Sequence, residues 1–338
     1  MASFIRKDLD IIEEEWNVRL FEVRQNKPLL LVKDLFAQLF FLFVHVWSAK
    51  RLVCMFGGYH SILPGVFGFL FRKPVWIMPG GYDCYAFPDI GYGAFHKKWF
   101  GRVVGWSYRL ADVLSPVHAS MVNQPYTYYN SGFPNQGFGF FVKGLDTKVL
   151  PINNGYEPEV FQDLKLPRKR NSFLTVARDT SGATYFRKGI DLILEVARYF
   201  PDFEFTIIGK NESQEIVAPP NVCFIPPVPY SELPFIYNQY EFYLQLSIAE
   251  GFPNALSEAM LSGCIPIGSD VFGIPDLIGE TGLILKKRDI QLLKDLLEQT
   301  RTMDKVAFGP KARSRVASLF TLEMRRQKML SLLRSLSK

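Results

Sequence analysis

The chain has 338 residues, 48% of them hydrophobic and 21% charged, which is enough apolar material for two domains of ordinary size. Its formal net charge of +6 is uneven: residues 1–150 carry 16 Lys/Arg against 11 Asp/Glu, and the remainder 23 against 22. That predicts a basic face on the first half for anionic substrates or membrane lipids, and it is too weak an excess to argue for nucleic acid.

In chain order, the first half reads as a helix at about 4–15, a strand at "NVRLFEV" (17–23), a helix at 33–49, and a strand at "RLVCMFG" (51–57). A helix at 61–72, a strand at "PVWIMPG" (74–80), a helix at 97–111, a strand at "DVLSPV" (112–117), a helix at 118–129 and a short strand at "KVLPI" follow. The segment "LKLPRKRN" (164–171), polar, basic and broken by Pro167, has the character of an interdomain link. Alternation then restarts through strands "SFLTVAR", "FEFTIIG", "NVCFIP", "FYLQLS", "IPIGSD" and "GLIL", with helices at 188–200, 231–238 and 254–262 among them and two helices at the end. Such alternation implies parallel sheets with helices on both faces, and two Rossmann-like units in tandem leave a cleft as the natural ligand site.

The four cysteines, Cys54, Cys84, Cys223 and Cys264, lack paired spacing and fit reduced thiols in a cytoplasmic protein. The N-terminus "MASFIRKDLDIIEEEW" has no signal-peptide core, and the longest apolar stretch, Leu35 to Trp47, is too short for a comfortable membrane span. Because helix 33–49 is apolar all round, burial is the favoured reading and a docking face on an anionic membrane the alternative.

The chemistry concentrates in "SIAEGFPNALSEAMLSGCIPIGSD", residues 247–270. Pro253 suits the first turn of the helix that follows a strand there, and the N–H groups of Asn254, Ala255 and Leu256 form an anion site reinforced by the helix dipole. Gly251 lets a ligand approach the backbone. Glu258, roughly 6 Å along the helix axis, stands at a ribose's distance from a diphosphate bound at that N-terminus, and Glu250 lies on the other side of the turn. The two carboxylates read as hydroxyl acceptors bracketing a diphosphate.

Glu250 and Glu258, with Ser247, Gly251, Pro253, Ala259, Met260, Gly263 and Pro266 around them, resemble the paired-glutamate signature of the retaining glycosyltransferases of the GT-B fold often called GT4. "FLTVAR", "RKGIDLIL", "FTIIGK" and "IPDLIGETGLIL" follow in that family's order, and "VLPINNGYEPEVF" resembles its segment at the end of the first domain. The resemblance implies an α/β protein of the GT-B fold, two Rossmann-like domains facing across a cleft: residues 1–166 for the acceptor, 167–318 for the nucleotide sugar, and a final helix, 319–338, packing back toward the first domain. It implies Arg178 and Lys188 on the donor phosphates, Glu250 facing the transferred sugar and Glu258 the ribose. Gly251, Phe252, Pro253, Asn254 and Ala255 then hold the diphosphate, and Gly209 and Lys210 lie on the donor side.

The sequence departs from the family pattern in three places. "DTSGATYF" lengthens the loop between Arg178 and Lys188; the opening strand is missing or truncated; and Gly80 stands where a histidine is expected before Gly81 and Asp83. Asp83 is the candidate for touching acceptor or sugar, with loop capping as the alternative, and Gly81, Tyr82 and His118 are candidates for the acceptor side. Segment 125–141, "PYTYYNSGFPNQGFGFF", reads equally as an acceptor-side lid or as a packed hairpin. His45, in an apolar helix, reads as a packed core residue, His60 and His96 lack partners at metal-ligand spacing, and Asp8 and Asp10 point about 200° apart on a helix, so no metal or other cofactor is expected.

The expectation is a metal-independent retaining enzyme of polysaccharide or cell-surface glycan synthesis, cytoplasmic at the inner face of a bacterial membrane, acting on a nucleotide sugar and a glycan or lipid-linked acceptor. The alternatives are a catalytically silent homologue that binds nucleotide sugar or glycan beside a partner enzyme, and a nucleotide-sugar epimerase of the same architecture.

Overall fold

The computed structural model describes residues 3–23, 28–180, 182–210 and 217–336; the side chains of Ser3, Pro28, Leu29, Arg178, Asp179 and Lys210 lie outside that description. The first half comprises α1 (Ser3–Glu13), α2 (Pro28–His45), β1 (Leu52–Met55), α3 (Tyr59–Leu70), β2 (Val75–Met78), α4 (Lys98–Leu110) and β3 (Val113–Leu114). A two-stranded hairpin of β4 (Gln124–Pro125) and β5 (Asn135–Gln136), the short α5 (Phe138–Phe141) and β6 (Lys148–Val149) complete it. Strands β1, β2, β3 and β6 form one sheet in that order, all parallel. All four residues of β2 are buried, the unbroken apolar run of a strand covered on both faces.

The second half contains β7 (Lys169–Asp179), α6 (Gly182–Arg187), α7 (Ile190–Ala197), β8 (Glu204–Lys210), β9 (Val222–Ile225), α8 (Leu233–Tyr237) and β10 (Tyr240–Gln245). Then come α9 (Asn254–Leu261), β11 (Ile265–Ser269), α10 (Ile274–Ile278), β12 (Leu283–Leu285), α11 (Ile290–Gln299), α12 (Lys305–Leu319) and α13 (Leu322–Ser335). Its sheet runs β12-β11-β10-β7-β8-β9, all parallel. The chain winds outward from β7 in one direction and from β10 in the other, so the topological switch point lies between these two strands, where open α/β sheets bind ligands. Phe173 at the middle of β7 stacks on Phe203, Phe205 and Phe242 at 5.0–5.1 Å, each ring contributing about 1.5–3 kcal/mol by burial.

Helix α13 returns to the first sheet. Met329, Leu330, Leu332, Leu333 and Leu336 share one apolar cluster with Ile11 and Ile12 of α1 and with Trp76, Met78 and Val113. Beside them the buried Arg325 grips Asp8 with two 2.7 Å hydrogen bonds and donates to the carbonyls of Ile152 and Asn153 at 2.9 and 2.8 Å. Asp10 points the other way, to the exposed Arg6 at 2.8 Å, as the helical geometry of the pair requires. The chain thus crosses between the two sheets twice, and the crossings are paired: Tyr156 N–H donates to Phe320 O and Leu322 N–H to Tyr156 O, both at 2.9 Å.

Several expectations from sequence are corrected. Residues 17–23 are not a strand; Phe21 packs on Phe41 of α2 at 5.2 Å and Val18 joins the α13 cluster, so side-chain packing takes the place of a ladder. Residues 118–129 are not a helix, because His118 caps a single 3-10 turn and Pro125 starts the hairpin. Three helices, not two, close the chain after β12. Helix α2 is not buried all round: Gln38, Leu42 and Val46 face α3, while the opposite stripe is exposed. Segment 125–141 is a packed hairpin: Tyr126 and Tyr128 are buried, Tyr126 Oη donates to Ile248 O at 2.7 Å and Arg288 N–H donates to Tyr128 O at 2.9 Å. The expected link is no loose tether, since β7 begins inside it and Arg168 donates to Tyr240 O and Ser262 O at 2.7 and 2.6 Å.

Candidate active site

The two loops at the switch point deliver the site. Beyond β7 the chain enters α6, whose last residue is Arg187, followed by Lys188; beyond β10 it runs through Glu250 to α9. Lys188 Nζ lies 2.6 Å and Arg187 Nη1 2.7 Å from the same oxygen, Glu250 Oε1. All three side chains are mostly buried. Burial would push the Glu250 carboxyl up, but the charges of Lys188 and Arg187 together hold it below its usual value. Burial, assisted by the neighbouring Arg187, pushes the Lys188 ammonium below its usual value against the pull of Glu250. Arg187 also lies over the ring of Tyr92 in the first domain, 4.9 Å from its centroid, so one guanidinium bridges the cleft between a carboxylate and an aromatic face.

The family resemblance gave the phosphate role to Arg178 and Lys188, with Arg187 only a substitute beside them; the visible signal of Arg187 is the Arg-Lys doublet before Gly189. Arg178 is the last residue but one of β7, and its side chain, like that of Lys210, lies outside the described residues.

Helix α9 starts at Asn254 after Pro253, whose φ of −75° carries the chain into the first turn. Asn254 Oδ1 accepts from Asn154 Nδ2 at 3.0 Å and Tyr156 Oη at 2.9 Å, both outside the second sheet, so this helix start is also an interdomain seam. Phe252 is buried, stacked on His118 at 5.9 Å, and its carbonyl accepts from Asn154 at 3.1 Å. Ala255 is half-buried beside it. Gly251 does not face open space: a Cβ there would come 2.7 Å from Met121 Sδ and 3.0 Å from Val117 Cγ2, so the first domain is what approaches this backbone. Gly209 is likewise demanded by its own sheet, since a Cβ would meet Ala177 O at 2.3 Å.

Glu258 lies one turn into α9 and is 7% exposed. Tyr230 Oη donates to Oε1 and Tyr237 Oη to Oε2, each at 3.3 Å. Burial raises its carboxyl from an ordinary 4.5 to about 7, against the opposing pull of the two hydroxyls and of Lys7. A small cavity opens beside it, lined among others by Phe4, Lys7, Asn154, Tyr156, Tyr230 and Glu258. Helix α1 therefore forms one wall of the Glu258 corner, with Lys7 held to Glu157 at 2.7 Å. Lys7 and Tyr230 carry no signature in the sequence; only the placing of α1 and of the 3-10 turn before α8 beside Glu258 shows them.

On the first-domain side, Asp83 is buried and its oxygens accept from three backbone amides, Gly57 at 2.7 Å, Gly80 at 2.9 Å and Gly81 at 3.0 Å. It ties together the loops after β1 and β2, the capping alternative weighed from sequence. Gly81 turns the chain at φ +124° and presents Tyr82, half-exposed and edge-on to Tyr92 at 5.5 Å. The missing histidine has a steric cause: a Cβ at Gly80 would sit 2.1 Å from Phe56 Cε1. His118 Nε2 lies 3.0 Å from Asp276 Oδ2 and its Nδ1 2.7 Å from Ser120 Oγ. Burial lowers its pKa and Asp276 partly restores it; the ring serves the interdomain contact at α10.

Residues 157–314 match the sequence model of the family Glycosyl transferases group 1. Sucrose-phosphate synthase from Thermosynechococcus elongatus superposes with a TM-score of 0.69 at 16% identity, over 92% of this chain and 81% of that one. Anabaena HepE in complex with UDP superposes with a TM-score of 0.69 at 15% identity, over 97% and 89%. The fold is GT-B. In sequence, a component of the phosphatidylinositol N-acetylglucosaminyltransferase of Arabidopsis thaliana is 22% identical over 220 residues, 62% of this chain but only 44% of that relative's length. In GT-B terms the Arg187–Lys188–Glu250 cluster lies in the cleft between the two domains, and Glu258 on the second domain's side of it.

Proposed function

We propose that this GT-B protein is a retaining, metal-independent glycosyltransferase of the GT4 type. It would move a sugar from a nucleoside-diphosphate donor to a glycan or lipid-linked glycan in cell-surface polysaccharide synthesis. The observation that carries this reading is the convergence of Lys188, Arg187 and Glu250 within 2.7 Å at the switch point, beside the N-terminus of α9. In this reading the diphosphate binds the N–H groups opening α9, with Arg178, Lys188 and Lys210 around it. Glu258 accepts from the ribose hydroxyls, Glu250 from the transferred sugar, and Tyr82 and Tyr92 offer a wall to the acceptor. Asp83 acts as a positioning residue for the loop that carries Tyr82.

The chemistry follows from the charges. The bond between the sugar's C1 and the diphosphate oxygen breaks as the acceptor oxygen bonds to C1 on the same face, and the acceptor's proton passes to the departing diphosphate. Negative charge grows on the leaving oxygens, and fixed cations in a cleft that excludes water stabilise it more in the transition state than in the bound donor. The UDP complex of HepE supports a nucleotide donor, and the name of the Arabidopsis relative, with its phosphatidylinositol, supports a lipid-borne acceptor.

Two measurements test the reading. A thermal-shift panel of nucleoside diphosphates and their sugars should show one base stabilising the fold by about 2.7 kcal/mol at a hundred times its Kd, in the presence of EDTA as well as without it. Proton NMR of the first product from an α-linked donor should show an α-linkage; an inverted anomer would overturn the retaining mechanism.

A further inference from the structure

We infer that the outer face formed by α2 and the end of α3 docks on an anionic lipid bilayer. Phe36, Phe40 and Phe43, with Trp47 in the turn that follows α2, repeat at the three- and four-residue spacing of one helical stripe. Together with Phe69 and Leu70 at the end of α3 they are 60–74% exposed. The two helix ends meet, since the rings of Trp47 and Phe71 lie 4.8 Å apart. Single exposed apolar residues are ordinary in a folded protein, but six large ones gathered on one face require a partner.

Charge selects the partner. Lys33 stands one turn before Phe36 on the same stripe, Lys50 three residues after Trp47 and Arg72 two after Leu70, and all three are exposed. An apolar ridge of aromatic rings flanked by cations matches a surface whose acyl boundary accepts the rings and whose phosphates accept the Lys and Arg heads. Tryptophan is suited to that interface because its indole carries both an apolar body and a donor. A second copy of the chain fits poorly, because two-fold pairing through this face would gather the Lys33, Lys50 and Arg72 cations of both copies around one dry patch. No described helix is long and apolar enough to cross a membrane, so the contact is peripheral.

In purpose, though not in geometry, this inference rests on the reading of a lipid-linked acceptor. The experiment keeps the two apart. The full chain is floated with phosphatidylcholine vesicles containing none or about a third phosphatidylglycerol, at roughly 0.05 and 0.5 M salt. Binding should require the anionic lipid and fall at high salt. Combined Phe36→Ser, Phe40→Ser and Phe43→Ser should lower partitioning about tenfold or more, and combined Lys33→Glu, Lys50→Glu and Arg72→Glu should remove the dependence on phosphatidylglycerol. Melting temperature and donor hydrolysis without acceptor should be unchanged in both variants, since none of these residues lies in the cleft. Absence of binding to anionic vesicles at low salt would overturn the inference. So would light scattering that shows a dimer abolished by the serine variant while vesicle binding is unaffected by it.

Discussion

Glu250 and Glu258 are the same residue in one motif, both withdrawn from water, and the fold gives them opposite electrostatic surroundings. Glu250 meets two cations within 2.7 Å and is held ionised. Glu258 meets two tyrosine hydroxyls and, among the described residues, no cation at contact distance, and burial pushes it up to about 7. The difference lies in what each element brings: the loop from β7 carries Arg187 and Lys188 to the first glutamate, and α8 carries Tyr237 to the second. Spacing in sequence locates a pair of carboxylates; neighbours from other elements decide which is a fixed charge and which is a titrating acceptor.

The largest expected effect tests the charged half of that contrast. Lys188→Ala should lower kcat by roughly 10² to 10³, about 3–4 kcal/mol, with a much smaller change in donor KM, because the cation acts on charge that grows in the transition state. Lys188→Arg should recover only part of the rate, since a planar fork does not replace a compact ammonium. Steady-state kinetics on variants with parental melting temperatures checks both; a kcat within about threefold of the parent for Lys188→Ala would assign the phosphate role to Arg178 and Arg187.

Glu258 should appear next in a pH series of stability. Its folded pKa of about 7 exceeds its ordinary 4.5, so between these values the folded chain keeps a proton that the unfolded chain has lost. The stabilisation is complete below about 4.5 and disappears as pH rises through about 7, a change of roughly 2–4 kcal/mol that Glu258→Gln should flatten. Denaturant titrations of both proteins from pH 4 to 8 measure it, and parallel curves would place the Glu258 carboxyl in water.

A smaller effect concerns affinity. If ionised Glu258 accepts from ribose hydroxyls, nucleoside diphosphate should bind more tightly as pH rises through about 7, and Glu258→Gln should weaken binding about tenfold at the upper end. Calorimetry with the free nucleotide decides, and equal affinities for the two proteins would remove Glu258 from the nucleotide site. The smallest expected change lies on the aromatic side of the Glu250 cluster, where Tyr92→Leu removes the face beneath Arg187 and should cost about 1 kcal/mol in kcat/KM while leaving nucleotide affinity unchanged.

The second sheet was legible because its strands are buried on both faces and read as continuous apolar runs separated by helices. The family resemblance, not the alternation, assigned Lys188 to the same site as Glu250, and the structure puts the two 2.6 Å apart. Arg187 was legible only as a stand-in for its neighbour Lys188, because its place depends on Tyr92, ninety-five residues away in the segment between β2 and α4. "NVRLFEV" has the alternation of a strand, and only tertiary packing against α2 and α13 overrides it. Residues 125–141 carried no period to read, so lid and packed hairpin stood level in the sequence, and burial of Tyr126 and Tyr128 against the second domain favours the hairpin. Asp83 looked like chemistry in sequence because a lone acid in a glycine-rich loop has the same letter whether it faces substrate or three amides of its own backbone.

The paired crossings at Tyr156 and Phe320–Leu322 govern how the cleft can open. Two covalent connections lying side by side and hydrogen-bonded to each other behave as the pin of a door, leaving the domains one easy rotation instead of free tumbling on a single tether. Contacts near the pin, such as Asn154 and Tyr156 on Asn254, survive a small swing. Contacts on the far side, Arg187 over Tyr92 and the Tyr85 ring stacked 4.2 Å from Phe272, work as the latch. Phe272 holds that stack from a left-handed backbone, φ +47°, a conformation that costs a bulky residue energy and that the packing around it must offset.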